Sequence, residues 1–299
     1  MIKQMISDQF AGNMYQYNEY PVWCGSGMLH LDSMELRDAS PQRNILLMHG
    51  VTYSSHEFDM NYKDYSLVRR LAREGYRVWR LDIMGYGQSA DVEDGFMPDS
   101  DYAAENIAAA VGRILYETGE KQIDLLGWSW GTVTAGRFAV RHPEQINRLV
   151  LYAPILCGLG QEEISEPFHH NTWEHAAEDF QKTADGALDY EMTDPVVVEM
   201  YCSGCWRYDG EFSPNGGRRD LCVDRSVMLI DFPQIRVPTL VICGDRDPYV
   251  NCGLVKCCTG SLPAGSFLKI IEGGSHVVFV EKPFYHVFQD SLIAFLKMK

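Results

Sequence analysis

The chain has 299 residues, 46% hydrophobic and 22% charged, the balance of a globular protein with a large core. That length suits one α/β domain carrying an insertion better than two full domains. The formal charge of −15 argues against nucleic acid as a partner, because its phosphates would be repelled, and is compatible with a neutral or cationic small molecule.

Residues 1–16 alternate polar and apolar side chains and contain no apolar h-region, so no signal peptide is expected. No apolar run reaches the length needed to cross a bilayer. Nine cysteines without a secretion signal suggest reduced thiols and a cytoplasmic location. Residues 14–20 and 28–36 read as two antiparallel strands at a sheet edge, joined through Gly25 and Gly27. Six short, nearly continuous apolar runs follow, at 45–48, 77–81, 123–126, 149–152, 239–243 and 267–271. Runs of that kind belong to strands covered on both faces. Helical patterns lie between most of them, at 65–74, 103–118 and 132–141, and a last one at 285–297 starts after Pro283. Such alternation predicts right-handed crossovers and a mostly parallel sheet with helices on both faces.

The rhythm breaks between Pro154 and Pro238. That interval is rich in aromatic residues, has plausible helices near 173–181 and 196–201, and lacks a parallel-strand run. The expected organisation is therefore a core of residues 1–154 and 238–299 with a mainly helical cap, 155–237, over the carboxyl edge of the sheet. Gly204, Gly210, Gly216 and Gly217 make the later part of that cap a candidate mobile loop. Cys202-Ser203-Gly204-Cys205, with Cys222 nearby, lacks the second close pair of ligands that a zinc site needs, and no metal or cofactor is expected.

Chemistry is concentrated at Gly127-Trp128-Ser129-Trp130-Gly131, a G-x-S-x-G sequence between an apolar strand and a helix. A serine on such a sharp turn exposes its hydroxyl, and the following helix aims free N–H groups at any oxyanion formed there. The hydroxyl needs a positioned base, usually a histidine oriented by a carboxylate. His276, in Glu272-Gly273-Gly274-Ser275-His276, follows the strand 267–271 and should sit at the carboxyl edge of the sheet. The turn Gly244-Asp245-Arg246-Asp247-Pro248 follows the strand 239–243 and offers two carboxylates, Asp245 and Asp247.

At this point the chain resembles an α/β-hydrolase, whose triad runs Ser, then Asp or Glu, then His along the sequence. Ser129, Asp247 and His276 keep that order. The resemblance favours Asp247 as the acid, with Asp245 shaping the turn or pairing with Arg246. Met48-His49-Gly50-Val51 is similar to the family's H-G-x element, which implies Val51 N–H and Trp130 N–H as oxyanion donors, each contributing about 3–4 kcal/mol. Asp82-Ile83-Met84-Gly85-Tyr86-Gly87-Gln88-Ser89 matches its D-x-x-G-x-G-x-S stretch, where Asp82 and Ser89 serve loop structure. The motifs cover residues 45–295 apart from the cap.

The unusual feature is tryptophan on both sides of Ser129: the two indoles either narrow an acyl pocket or pack beneath it. Trp128, Trp173 and Trp206 are the candidate substrate contacts. The expected activity is cofactor-free serine hydrolysis of an ester or lactone of a bulky, largely apolar small molecule, with a macrolide-type lactone as the narrower candidate, by a monomer or homodimer. A proline-iminopeptidase-like aminopeptidase, a C–C bond hydrolase or a thioesterase would use the same machinery. Serine at the elbow argues against the dehalogenase and epoxide hydrolase branches, which use aspartate there.

Overall fold

The computed structural model describes residues 2–7, 11–25 and 27–298, so part of the 1–16 stretch lies outside the described residues. The chain opens with β1 (Ile2–Ser7), β2 (Met14–Cys24) and β3 (Gly27–Leu36), successive antiparallel neighbours. β1 was not anticipated: Ile2–Ser7 lacks a strict alternation of apolar and polar residues. Next come β4 (Arg43–Met48), α1 (Leu67–Arg73), β5 (Tyr76–Asp82), α2 (Ser100–Thr118), β6 (Ile123–Trp128), α3 (Trp130–Arg141) and β7 (Ile146–Tyr152). The chain then leaves the sheet for β8 (Phe168–His170), α4 (Trp173–Ala176), α5 (Pro195–Tyr208), β9 (Phe212–Pro214) and α6 (Gly216–Leu221). It returns as β10 (Thr239–Gly244), α7 (Cys252–Thr259), β11 (Phe267–Ile271) and α8 (Tyr285–Leu296).

Nine strands form the main sheet in the order β1-β2-β3-β5-β4-β6-β7-β10-β11, parallel from β5 to β11. Every residue of β6 and β10 is buried, which is why their sequences are largely apolar rather than alternating, Asp124 and Thr239 being the polar exceptions. From β4 the chain steps outward to β5 and then back across to β6 on the other side. The strand order therefore reverses between β4 and β6, and a crevice opens beyond their carboxyl ends.

The segment between β7 and β10 is less helical than its composition suggested. Of its three helices only α5 exceeds two turns, and β8 pairs with β9 in a small antiparallel sheet of their own. The glycine-rich part is not a free loop. Gly204 lies within α5, where a Cβ would stand 2.7 Å from the His56 ring. Gly216 and Gly217 begin α6, and a Cβ on Gly216 would meet the Phe96 and Pro98 carbonyl oxygens at 2.7 Å. Gly216 N–H also donates to Gly95 O (2.9 Å), so this stretch is tied to the core.

The antiparallel edge is clamped to the parallel sheet by a cross-strand ion pair. Asp32 on β3 lies opposite Arg80 on β5, both are buried, and the guanidinium donates twice, Nε to Oδ1 (2.9 Å) and Nη2 to Oδ2 (2.7 Å). Removing one partner strands the other charge in the protein interior. Asp32→Ala is therefore expected to cost about 3–5 kcal/mol of stability in urea unfolding, against under ~1 kcal/mol for removing the exposed Asp38 beside Arg37.

Candidate active site

Ser129 joins β6 to α3 at φ 57°, ψ −124°, a left-handed conformation that costs a non-glycine residue free energy. The turn is held at both ends. Ser129 N–H donates to Tyr152 O on β7 (3.0 Å), and its carbonyl accepts from Thr132 N–H (2.9 Å) and Thr132 Oγ1 (2.6 Å). Neither flanking glycine has a positive φ; both are required by close backbone approach. A Cβ on Gly127 would stand 2.1 Å from Gly131 O, and one on Gly131 would stand 2.6 Å from the Met48 and His49 carbonyl oxygens. The start of α3 is thus pressed against the loop after β4.

That loop covers the serine. A Cβ on Gly50 would lie 3.5 Å from Ser129 Cβ and 3.9 Å from its Oγ. His49, fully buried, fixes the loop from below: its Nδ1–H donates to Gly50 O (2.8 Å), and its Nε2 accepts from Ile83 N–H (3.1 Å). Burial pulls its pKa down, so the ring stays neutral and keeps this tautomer. The Tyr86 hydroxyl lies 3.0 Å from Val51 O and 3.1 Å from Pro214 O, linking the Val51 peptide to β9. Asp82 holds the neighbouring loop through Ser55 N–H (3.0 Å), Ser55 Oγ (2.6 Å), Gln88 N–H (3.0 Å) and His30 Nδ1 (3.2 Å). Ser89 Oγ donates to the Asp82 carbonyl (2.5 Å).

His276 and Asp247 meet as a buried pair. Nδ1–H of His276 donates to Asp247 Oδ2 at 2.8 Å, and Asp247 Oδ1 accepts from Tyr249 N–H (2.9 Å). Asp245 is exposed and takes a different part, accepting from Gly273 N–H (2.7 Å) to pin the turn before His276. Burial alone would lower the His276 pKa, but the charge and hydrogen bond of Asp247, with a smaller contribution from Asp179, leave it raised. With its Nδ1 proton committed to Asp247, the neutral ring presents Nε2 as an acceptor.

Ser129 and His276 line one cavity of about 190 Å³. Gly50, Val51 and Trp128 bound it from the core, and His175, Asp179, Tyr201 and Arg218 from the inserted segment. The Ser129 hydroxyl makes no hydrogen bond to the ring among the described residues; such bonds tighten when a reacting group arrives. The two flanking tryptophans divide the roles foreseen for them. Trp128 lines the cavity and its Nε1–H donates to His276 O (3.2 Å). Trp130 is wholly buried, its Nε1–H donating to Ser100 Oγ (2.8 Å) at the start of α2. Trp173 and Trp206 do not reach the cavity: both stand about half exposed, at 45% and 48%. Each sits on the outer face of a short or amphipathic helix, a direction that composition does not reveal.

Three contributors were missed in the sequence. Tyr152 donates its hydroxyl proton to His276 O (2.7 Å), beside Trp128, so two side chains hold the histidine main chain. Tyr249 packs edge-on against the His276 ring, centroids 4.9 Å apart. Arg218, on α6, enters the cavity and donates to Thr52 Oγ1 (2.6 Å). Only Tyr249 had a local signal, as a neighbour of the Asp-Pro turn. A second Ser–His–Asp cluster, Ser54, His56 and Asp209, lies outside the cavity; there Ser54 Oγ donates directly to Asp209 (3.1 Å), and burial pulls the His56 pKa down to about 3.

A serine and a carboxylate-oriented imidazole that line one cavity are groups able to perform nucleophilic acyl transfer. Comparison with known proteins agrees with that class. The model of the family described as serine aminopeptidase, S33, matches residues 39–283. A pimeloyl-[acyl-carrier protein] methyl ester esterase of Aeromonas hydrophila is 33% identical over 99 residues, 33% of this chain and 35% of the esterase. A second such esterase, from Pectobacterium carotovorum, is 28% identical over 148 residues, so this chain spans about a third to a half of these esterases' length. A putative non-heme chloroperoxidase of Synechocystis is 26% identical over 81% of this chain and 87% of its own. Among solved structures, an esterase from Exiguobacterium antarcticum superposes with a TM-score of 0.66 at 18% identity, covering 94% of this chain and all of its own, a likeness of fold. The chain is an α/β-hydrolase and belongs to the serine aminopeptidase, S33, family of hydrolases.

Proposed function

We propose that the protein is a serine hydrolase that cleaves a carboxylic ester through an acyl-enzyme. The observation that carries this reading is the buried 2.8 Å pair of His276 and Asp247 facing the same cavity as Ser129. His276 Nε2 takes the Ser129 proton as Oγ attacks the carbonyl carbon. The resulting oxyanion is held by Val51 and Trp130 N–H. As the tetrahedral species collapses, His276 returns the proton to the departing alcohol oxygen. Water then attacks the acyl carbon, giving its proton to His276, and the acid leaves as Ser129 is restored.

The cavity, at about 190 Å³, is smaller than the ~300–1,000 Å³ of sites that enclose drug-sized ligands. This favours a compact substrate over a macrocyclic lactone. An aminopeptidase reading is supported by one feature, the carboxylates of Glu178 and Asp179 on the cavity wall, which suit a substrate amine. The inserted segment, residues 155–237, acts in either case as the cap that closes the cavity.

Ser129→Ala is expected to lower kcat on 4-nitrophenyl butyrate by at least about a thousandfold while leaving the unfolding transition intact; residual activity above that level removes Ser129 as nucleophile. Parallel assays with a proline 4-nitroanilide decide between the two substrates, and fast amide cleavage without ester turnover selects the peptidase. The pH profile supplies a third check. The base must be neutral, and the His276 pKa lies above the ordinary histidine value, so activity should fall on acidification with a midpoint above about 6.5. Asp247→Asn removes the anion that raises it and should move that midpoint to lower pH. A midpoint that stays put in Asp247→Asn contradicts the assignment of the acid.

A further inference from the structure

The cavity carries one arginine, and it has no ion-pair partner among the described residues. Arg218 is the only Arg or Lys among the described residues lining the cavity, whereas Glu57, Glu178 and Asp179 are its acids. Its hydrogen bonds all go to uncharged acceptors: Nη2 donates to Thr52 Oγ1 (2.6 Å), and Nη1 to Asn215 Oδ1 (3.2 Å) and Ser213 Oγ (3.4 Å). The two buried arginines among the described residues each have a carboxylate at hand, Arg80 with Asp32 and Arg69 with Asp59. Among the described residues no carboxylate lies within ion-pair distance of Arg218. Burial accordingly disfavours its charge, and the groups acting on it are the phenols of Tyr86, Tyr53 and Tyr249 and the Cys222 thiol.

A second, independent observation lies beside it. Tyr53 lines the same cavity, is 5% exposed, and its hydroxyl has no hydrogen-bond partner among the described residues. An unpaired buried hydroxyl is unfavourable, so its persistence calls for a partner that arrives from outside. The Arg218 charge acts on this phenol, which places the two groups in one neighbourhood. An arginine fork and a phenolic O–H together form a site for a planar anion, because a carboxylate accepts from both and the guanidinium can bind it with two parallel bonds.

The position fits a substrate group. Arg218 follows Gly217, where a Cβ would stand 2.7 Å from the Trp130 indole and 2.9 Å from Val51 Cγ2. Its Nη2 rests on Thr52, the residue after Val51. The cation is therefore held by the residue that follows Val51, one of the proposed oxyanion donors.

We propose that the cavity selects a compact ester bearing a free carboxylate, which Arg218 and Tyr53 bind while Ser129 meets the ester carbonyl. This rests on the hydrolase reading for the reaction, though not for the binding. It departs from the expectation, drawn from the net charge, of a neutral or cationic ligand: although Glu178 and Asp179 share the cavity wall, Arg218 offers a carboxylate a cation with no ion-pair partner among the described residues.

Two measurements test it. The first compares kcat/KM for 4-nitrophenyl hydrogen glutarate with that for 4-nitrophenyl pentanoate. The wild-type protein should prefer the carboxylate by about tenfold or more, Arg218→Lys should keep part of that preference, Tyr53→Phe should reduce it a few-fold, and Arg218→Gln should erase it. An equal loss on both esters in Arg218→Gln, or no preference in the wild type, overturns the proposal. The second needs no turnover: glutarate and glutaramide are titrated calorimetrically into Ser129→Ala protein. Glutarate should bind at least about tenfold more tightly, and Arg218→Lys and Tyr53→Phe on the Ser129→Ala background should narrow the gap. Arg218-dependent glutarate binding without cleavage of either ester would leave this site standing and remove the hydrolase reading. Cleavage of both esters at equal efficiency, with no glutarate binding, would do the reverse.

Discussion

The site depends on a backbone contact with no side chain in it. The first turn of α3 lies against the loop after β4, with Gly131 where a Cβ would overlap the Met48 and His49 carbonyl oxygens. Because strand order reverses between β4 and β6, these two chain segments border the same crevice and can approach this closely. The contact sets Gly50 over the Ser129 side chain and brings Val51 and Trp130 near each other. It also explains how a serine persists at φ 57°: the strained turn is fixed from β7 by Tyr152 O, from α3 by Thr132 and from β4 by the loop.

Around that contact, the neighbours of His49 and His276 give the two rings different tasks. His49 is buried without a partner acid, stays neutral and ties two loops together. His276 is equally buried but paired with Asp247, so its affinity for a proton is raised rather than lowered. The difference lies in the neighbour, since desolvation acts on both in the same sense. The main chain of His276 is held separately by Trp128 and Tyr152, which leaves Asp247 to orient only the ring. Across the cavity the same logic gives Arg218 its interest: a cation that the fold has desolvated without supplying an anion.

Much of this was legible in the sequence because it is local. The six parallel strands announce themselves as apolar runs, and Ser129, Asp247 and His276 each follow one of those runs directly. The loop roles of Asp82 and Ser89 came instead from the resemblance of residues 82–89 to the family's D-x-x-G-x-G-x-S stretch. What was not legible is set by contacts between distant segments. Nothing near Tyr152 says that its hydroxyl will reach a carbonyl 124 residues away, and nothing near Arg218 says that it will face Thr52 rather than water. Aromatic content suggested that Trp173 and Trp206 line the pocket, yet their helices turn them outward. Gly204, Gly210, Gly216 and Gly217 read as a mobile loop because flexibility and close packing use the same residue; at Gly204, Gly216 and Gly217 it is packing, against His56, the 96–98 backbone and Trp130, whereas Gly210 takes φ 65° with open space around it. The short helix α7 was missed because Cys252–Thr259 has no apolar repeat long enough to register.

The central claim, that Ser129 is made nucleophilic by His276 and Asp247, is tested most directly by trapping the covalent intermediate. The protein is treated with a fluorophosphonate, digested and sequenced by mass spectrometry, with Asp247→Asn as the comparison. The account predicts one stoichiometric adduct on the peptide containing Ser129, formed far more slowly in Asp247→Asn. An unmodified Ser129 in folded protein, or labelling that proceeds equally well without the Asp247 carboxylate, would contradict it.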